Sequence, residues 1–257
     1  MSKKIRVDEL LVHCGLVGSR SKAQACIMAG QVRHKGEKIQ KSSQLLSANE
    51  TLTLDTPMPY VGRGGLKMEN FIKDSKWMVK GMDVLDLGAS TGGFTDCLLQ
   101  MGANSATCVD VGRGQLHYKL RTDKRVTNLE KTNLRSLQAQ DLPKTSYPLI
   151  VMDLSFISLR KVLKEAWQFL QNNGRMVALI KPQFECLKKE ADLGRGIIKD
   201  TKIHLRVLDE IKGYAEQNMK GSKLLIQTTS EPKGNDGNTE FFLGWERLSA
   251  SSPELDQ

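Results

Sequence analysis

The chain has 257 residues, with 38 Lys and Arg against 29 Asp and Glu, for a formal charge of +9. Its 39% hydrophobic and 26% charged residues exclude a disordered chain and supply a sizeable core, and the length suggests one large domain plus a small one. Apolar runs such as Met176 to Ile180 fall far short of the ~20 residues a membrane helix needs, and five cysteines without a C-x-x-C spacing indicate neither a disulfide framework nor a zinc cluster.

The basic start, Ser2-Lys3-Lys4-Ile5-Arg6, runs into Asp8 and Glu9 and offers no convincing secretory cleavage site, so a cytoplasmic protein with reduced cysteines and no bound metal is expected. Residues 1–60 hold nine basic and five acidic side chains, a balance of +4, so the N-terminal piece is the charge-dense one and suits an anionic partner. Pro57 and Pro59 disfavour helix and mark a linker. The expected organisation is a domain over residues 1–57, a linker over 58–63, a large domain over 64–248 and a frayed tail over 249–257.

Within the small domain, Leu10, Leu11 and Cys14 fall on one helical face, and Gly15 ends that helix. Ser19 or Ser21 caps a second helix carrying Ala25, Cys26, Met28 and Ala29, which stops at Gly30. Gln31-Val32-Arg33 opens an extended segment that turns at Lys35-Gly36, and Leu52 and Leu54 alternate with Thr51 and Thr53 as a last strand. Arg20-Ser21-Lys22 places two cations beside the free N–H groups of a helix start, which suits either a phosphate seat or a solvated basic face.

Three stretches of this piece carry a resemblance. Arg6 to Leu11, Ser19 to Ala23 and Ala29 to Val32 are similar to the RNA-binding domain named after ribosomal protein S-four, a small α+β unit that docks on structured RNA. The resemblance implies phosphate contacts from Arg6, Arg20, Ser21, Lys22, Arg33 and Lys35, to which Arg63 in the linker is added. The turn Arg33-His34-Lys35-Gly36 departs from the Val-Asn-Gly usual there but keeps its glycine.

After the linker, strand-like runs over 83–86, 106–111, 126–129, 149–153 and 176–180 alternate with helical stretches such as 159–170. Such alternation predicts an α/β fold with a mostly parallel sheet covered on both faces. Leu224-Leu225-Ile226 and Glu240 to Leu243, joined by a Gly- and Asn-rich loop, close it as a hairpin. Five parallel strands and a closing hairpin describe the seven-stranded, Rossmann-like sheet of a methyltransferase.

In such sheets ligands bind beyond the C-terminal strand ends. Asp86, Gly88, Ala89, Ser90, Thr91, Gly92, Gly93 and Phe94 lie at the first such end, without a G-x-G-x-x-G fingerprint or a P-loop. Asp-x-Gly followed by Gly-Gly suits S-adenosylmethionine, which has no phosphates to cradle. Asp110, 24 residues after Asp86 at the next strand end, suits a ribose hydroxyl, with Val111 beside it and Asn133 expected near the adenine.

Four polar residues remain: Asp153 and Lys181 end parallel strands, Glu240 begins the last strand, and Lys67 follows Arg63-Gly64-Gly65 in a helical stretch. In chain order they resemble the Lys-Asp-Lys-Glu tetrad of FtsJ-like ribose 2′-O-methyltransferases. The words Gly62 to Lys67, Val109 to Gly112, Gln115-Leu116, Met152 to Ser158, Ile180 to Glu185 and Asp236 to Phe241 are similar to the TlyA family, some of whose members carry the older label haemolysin. Gly62 stands where relatives often have Ser. The resemblance implies methylation of a ribose 2′-hydroxyl, of cytidine, in ribosomal RNA or a ribosomal subunit. Lys181 would orient or deprotonate the hydroxyl, Lys67 would aid it by like-charge repulsion, and Asp153 and Glu240 would position the lysines. The competing readings are a membrane-active protein and a non-catalytic RNA-docking or ribosome-assembly factor.

Overall fold

Alternating short elements build the N-terminal part of the molecule. A computed structural model describes residues 4–55, 58–234 and 236–249, and the chain divides into compact units over 1–58 and 59–257. Pro57, at the end of the expected N-terminal domain, and residues 250–257 of the tail lie outside the described residues. Ser249 is described, and its hydroxyl donates to Asn173 Oδ1 at 2.8 Å.

The small unit runs β1 (Lys4–Arg6), α1 (Val7–His13), α2 (Arg20–Met28), β2 (Val32–His34), β3 (Glu37–Lys38), β4 (Leu45–Ser47) and β5 (Leu52–Leu54). β1 pairs antiparallel with β4, and β3, β2 and β5 form a second small sheet. The strand β1 is additional to the expected elements; three residues are too short to show a period. The buried stripe of α1 is Val7, Leu10 and Leu11, while Cys14 is exposed. α2 likewise turns Ala23 and Ile27 inward, not Met28, which is 88% exposed. A nine-residue helix over a small core buries one narrow stripe, and the Ala23–Ile27 spacing of four residues supplies it. Ser19 is the cap, accepting the Lys22 N–H at 3.2 Å. Lys35 (φ 52°) and Gly36 (φ 86°) form the two-residue turn between β2 and β3, where both positions need the left-handed region.

The large unit runs α3 (Gly64–Ser75), β6 (Asp83–Leu87), α4 (Gly93–Gln100), β7 (Ser105–Val109), α5 (Tyr118–Arg121), β8 (Val126–Leu129), β9 (Tyr147–Met152), α6 (Leu163–Trp167), β10 (Leu170–Ile180), α7 (Pro182–Glu185), α8 (Lys188–Leu193), α9 (Thr201–Asn218), β11 (Ser222–Ser230) and β12 (Glu240–Arg247). The sheet order is β11-β12-β10-β9-β6-β7-β8. β10, β9, β6, β7 and β8 are mutually parallel, and β12 and β11 close the edge antiparallel. One apolar layer joins Leu85, Leu87, Ile150 and Met152 to α6 and α9, and the opposite layer joins Val84, Leu149 and Val151 to α3 and α4. This two-sided burial follows from the near-continuous apolar runs of the strands.

The expected helix over 159–170 is shorter than anticipated. A 3-10 turn over Leu159–Lys161 and the five-residue α6 replace it, and Leu170 already belongs to β10. The chain kinks at Asn173 (φ 58°) and Gly174, where the β9–β10 register shifts. Among the described residues no helix is long and apolar enough to cross a membrane, and no group of three or more His, Cys, Asp or Glu is placed to hold a metal ion.

Candidate active site

The order β9-β6-β7 puts the switch point of the doubly wound sheet between β6 and β9, and the ligand crevice opens there. Two cavities lie at these strand ends and share Gly88, Ser90, Asp153 and Ser155 in their walls. One, of about 320 Å³, is mainly apolar, with Leu87, Val109, Val111, Leu134, Leu154 and Phe156 around Asp110. The other, of about 420 Å³, is polar and holds Lys67, Asp86, Asp153, Lys181 and Glu240.

The loop after β6 passes tightly beneath Asp153. Gly88 sits at φ 86°, and a Cβ there would stand 2.7 Å from the Asp153 carbonyl oxygen. Ala89, Ser90, Thr91, Gly93 and Phe94 line the polar cavity. Gly92 does not; its φ of 92° starts α4, and a Cβ would strike Leu120 at 2.2 Å. Asn133 lines neither cavity. Its side chain caps the 3-10 turn over Leu134–Ser136 by accepting the Arg135 N–H at 3.0 Å, while its neighbours Thr132 and Leu134 face the apolar cavity.

Asp86 is buried in β6. Its Oδ2 accepts the Thr95 N–H at 3.2 Å and the Thr95 O–H at 2.7 Å, while Oδ1 has no partner among the described residues. Burial pushes this carboxyl up to about 7; the Thr95 donors oppose the shift, and the charges of Asp153 and Asp110 add to it. Asp110 Oδ2 accepts the Ser90 N–H at 2.8 Å and Oδ1 the Gly112 N–H at 2.7 Å. Both bonds fix the carboxylate at the cavity wall, and each oxygen keeps a lone pair for a further donor.

The four tetrad residues meet in the polar cavity as two ion pairs. Lys67 on α3 pairs with Glu240 at the start of β12, and both are buried. Lys181 Nζ, just beyond β10, lies 2.6 Å from Asp153 Oδ1, just beyond β9. It also donates to Ser155 Oγ at 2.8 Å. The expectation that Lys67 acts on Lys181 by repulsion meets a different arrangement, because each lysine has a carboxylate of its own. Ser155 is the site residue that the sequence reading missed; it stands two positions after Asp153, and nothing distinguishes it from a turn serine until the fold brings Lys181 to it.

The segment over 61–63 also reaches this cavity. Val61 N–H donates to Asp96 Oδ2 at 2.9 Å, and Arg63 donates to the Lys233 carbonyl at 2.7 Å while lining the cavity wall. The other proposed RNA contacts belong to the small unit. Arg6 and Arg20 reach Asp8 at 2.9 and 3.1 Å, Arg33 reaches Asp55 at 2.9 Å, and Lys35 reaches Glu50 at 3.3 Å. The Arg6 guanidinium holds the Asp8 carboxyl well below the usual carboxylate range. Ser21 and Lys22 are exposed, and Lys22 has no acidic partner among the described residues.

This sheet order, with a glycine loop and an acid at its first two parallel strand ends, defines a Rossmann-like methyltransferase dependent on S-adenosylmethionine. The model of the FtsJ-like methyltransferase family matches residues 60–247, and the chain belongs to that family. It is 37% identical over 245 residues to the 16S/23S rRNA (cytidine-2′-O)-methyltransferase TlyA of Mycobacterium tuberculosis, covering 95% of this chain and 90% of that one. It is 36% identical to Hemolysin A of Brachyspira hyodysenteriae, covering 93% of this chain and 98% of that one. Among solved structures, a hemolysin-named protein of Streptococcus thermophilus superposes with a TM-score of 0.73 at 36% identity, over 97% of this chain and 90% of that one.

The residues present fit this cofactor. The apolar cavity suits an adenine, Asp110 at its wall suits ribose hydroxyls, and the orphaned Asp86 Oδ1 lies where the polar cavity begins and lacks a donor. A ligand bearing an ammonium group supplies one.

Proposed function

We propose that the chain transfers a methyl group to the ribose 2′-hydroxyl of a cytidine in ribosomal RNA, in the cytoplasm, and that residues 1–57 form its RNA-docking domain. The observation that carries this reading is the convergence of two lysine–carboxylate pairs in one cavity, contiguous with the cavity that fits adenosine. A ribose hydroxyl is a weak nucleophile that must be oriented and relieved of its proton, and two lysine–carboxylate pairs beside the cofactor cavity suit that task.

When bound, S-adenosylmethionine supplies an electrophilic methyl on a sulfonium. The loop over 88–91 and Asp86 and Asp110 hold it. Lys181 donates to the incoming hydroxyl oxygen and steadies the charge that develops there as the proton leaves toward Asp153. Ser155 keeps the Lys181 ammonium aimed into the cavity. The buried Lys67–Glu240 pair forms the far wall and fixes the acceptor ribose. Aligning the two reactants supplies ~7–11 kcal/mol of the barrier reduction, and moving the proton contributes about another 10²–10⁴-fold.

The test is incubation of the purified chain with ribosomal subunits and isotopically labelled S-adenosylmethionine, followed by digestion to nucleosides. The reading predicts label in 2′-O-methylcytidine. Label in a methylated base, or none in RNA, overturns it.

A further inference from the structure

We propose that Glu185 is a positioning residue for the Lys181–Asp153 pair, clamping the segment that follows β9 to the segment that follows β10. The inference rests on the proposed reaction for its consequence and on geometry alone for the clamp.

Lys181 and Asp153 stand at the tips of two different strands, so their 2.6 Å contact depends on how two strand-end segments sit against each other. Backbone pairing between β9 and β10 is recorded only up to Met152 and Ala178. Beyond that point Asp153 is held to β6 by its N–H on the Leu87 carbonyl and Ile180 to β12 opposite Phe241, and Glu185 ties the two segments to each other. From the end of α7 its Oε2 accepts the Ser158 O–H at 2.6 Å, and its Oε1 accepts the Leu159 N–H at 2.7 Å. A third donor from the same segment, Arg160 Nη2, reaches the Glu185 backbone carbonyl at 2.9 Å. Three hydrogen bonds thus join chain segments that are 25–27 residues apart.

The choice of a carboxylate is informative. Glu185 is 4% exposed, and burial raises its carboxyl against the pull of Leu159, Ser158 and Arg160. A buried charge is a poor way to gain stability. It is a good way to receive two donors on one rigid planar group. Arg160 Nε lies 3.8 Å away and balances the charge, and Arg160 is itself anchored to Glu210 of α9 at 2.8 Å. The clamp is therefore backed by the longest helix of the unit.

A displacement of about 1 Å at a reacting centre costs on the order of 100-fold in rate. Glu185→Ala is expected to lower kcat by roughly 10–100-fold, leaving the KM for RNA and the affinity for S-adenosylmethionine within about 3-fold of wild type. Glu185→Gln keeps an acceptor for Leu159 and offers its amide to the Ser158 oxygen, so it should restore kcat to within about 3-fold. Val207→Ala, a core truncation on α9, serves as the control for stability; it should lower Tm without lowering kcat. Hydrogen exchange gives an arm independent of activity, with amides over 153–159 and 181–186 exchanging faster in Glu185→Ala and those of α3 unchanged. Wild-type kcat in Glu185→Ala, a Glu185→Gln as slow as Glu185→Ala, or unchanged exchange in both segments would overturn the clamp. Should Glu185→Ala not fold, Ser158→Ala takes its place, with kcat reduced several-fold if the clamp holds and wild-type if it does not. If wild-type protein transfers no methyl group to RNA, the functional reading fails, and the exchange arm alone decides the clamp.

Discussion

The two units handle charge in opposite ways. In the small unit, one fully buried carboxylate, Asp8, gathers Arg6 and Arg20, whose side chains stay 34% and 50% exposed. The acid organises cations and leaves them facing water. At the candidate site of the large unit two lysines are drawn inward, with the Lys67 and Lys181 side chains only 10% and 11% exposed. The first arrangement suits a long-range, salt-sensitive grip on a polyanion. The second suits action on one hydroxyl, because ionic groups act more strongly where water is excluded. A similar formal charge, +4 in residues 1–60 and +5 in the rest, therefore serves two purposes.

This contrast can be broken most directly at Lys181. Lys181→Ala should lower kcat by ~10²–10⁴-fold while cofactor affinity, measured by calorimetry, stays within a few-fold. Near-normal turnover would remove Lys181 from the reaction. Lys67→Met tests the other pair. It strands Glu240 as a lone buried charge, and thermal or denaturant unfolding should show a loss of ~3–5 kcal/mol. Adding Glu240→Leu should recover much of that stability but no activity, which separates the role of the pair in folding from its role in methyl transfer.

Asp86 sharpens the picture of the cofactor side. Its carboxyl is raised to about 7 in the folded protein against 3.8 as the ordinary value, so the folded state holds a proton that the unfolded state has released. Stability of the cofactor-free protein should therefore fall as pH rises between these values and level off above about 7. Asp86→Asn should flatten that profile and raise Tm at pH 8, while weakening S-adenosylmethionine binding. A Tm at pH 8 below that of wild type would contradict the assignment of an uncompensated buried charge. The smallest effect belongs to a single exposed lysine of the small unit. Lys22→Ala should weaken RNA binding only a few-fold and reduce the slope of log K against log salt by ~1, with cofactor affinity unchanged. Deleting residues 1–57 should cost RNA affinity far more than cofactor affinity, and an equal loss of both would erase the distinction between the units.

Much of the large unit is legible in the sequence because β9 and the second half of β10 are continuous apolar runs followed by a polar residue. Asp153 and Lys181 stand out for that reason, and the structure brings them into contact with each other. What was illegible is local or non-local in a specific way. β1 is three residues long, and its pairing with β4 spans some 40 positions, beyond the reach of any periodicity. Cys14 and Met28 are apolar enough to be read as core, yet Val7 and Ala23 complete the buried stripes. Ser155 and Glu185 are ordinary polar residues until two strand ends meet, so only the folded chain gives them partners. Asn133 shows the converse, a polar residue whose own turn takes its side chain.

The central claim is that these strand ends direct a methyl group to a ribose in ribosomal RNA. The most direct test is to map 2′-O-methylation across the ribosomal RNAs of cells with the gene, without it, and with the Lys181→Ala form. The account predicts at least one cytidine 2′-O-methyl group that is present with the intact gene and absent in the other two. Identical maps in all three would contradict it.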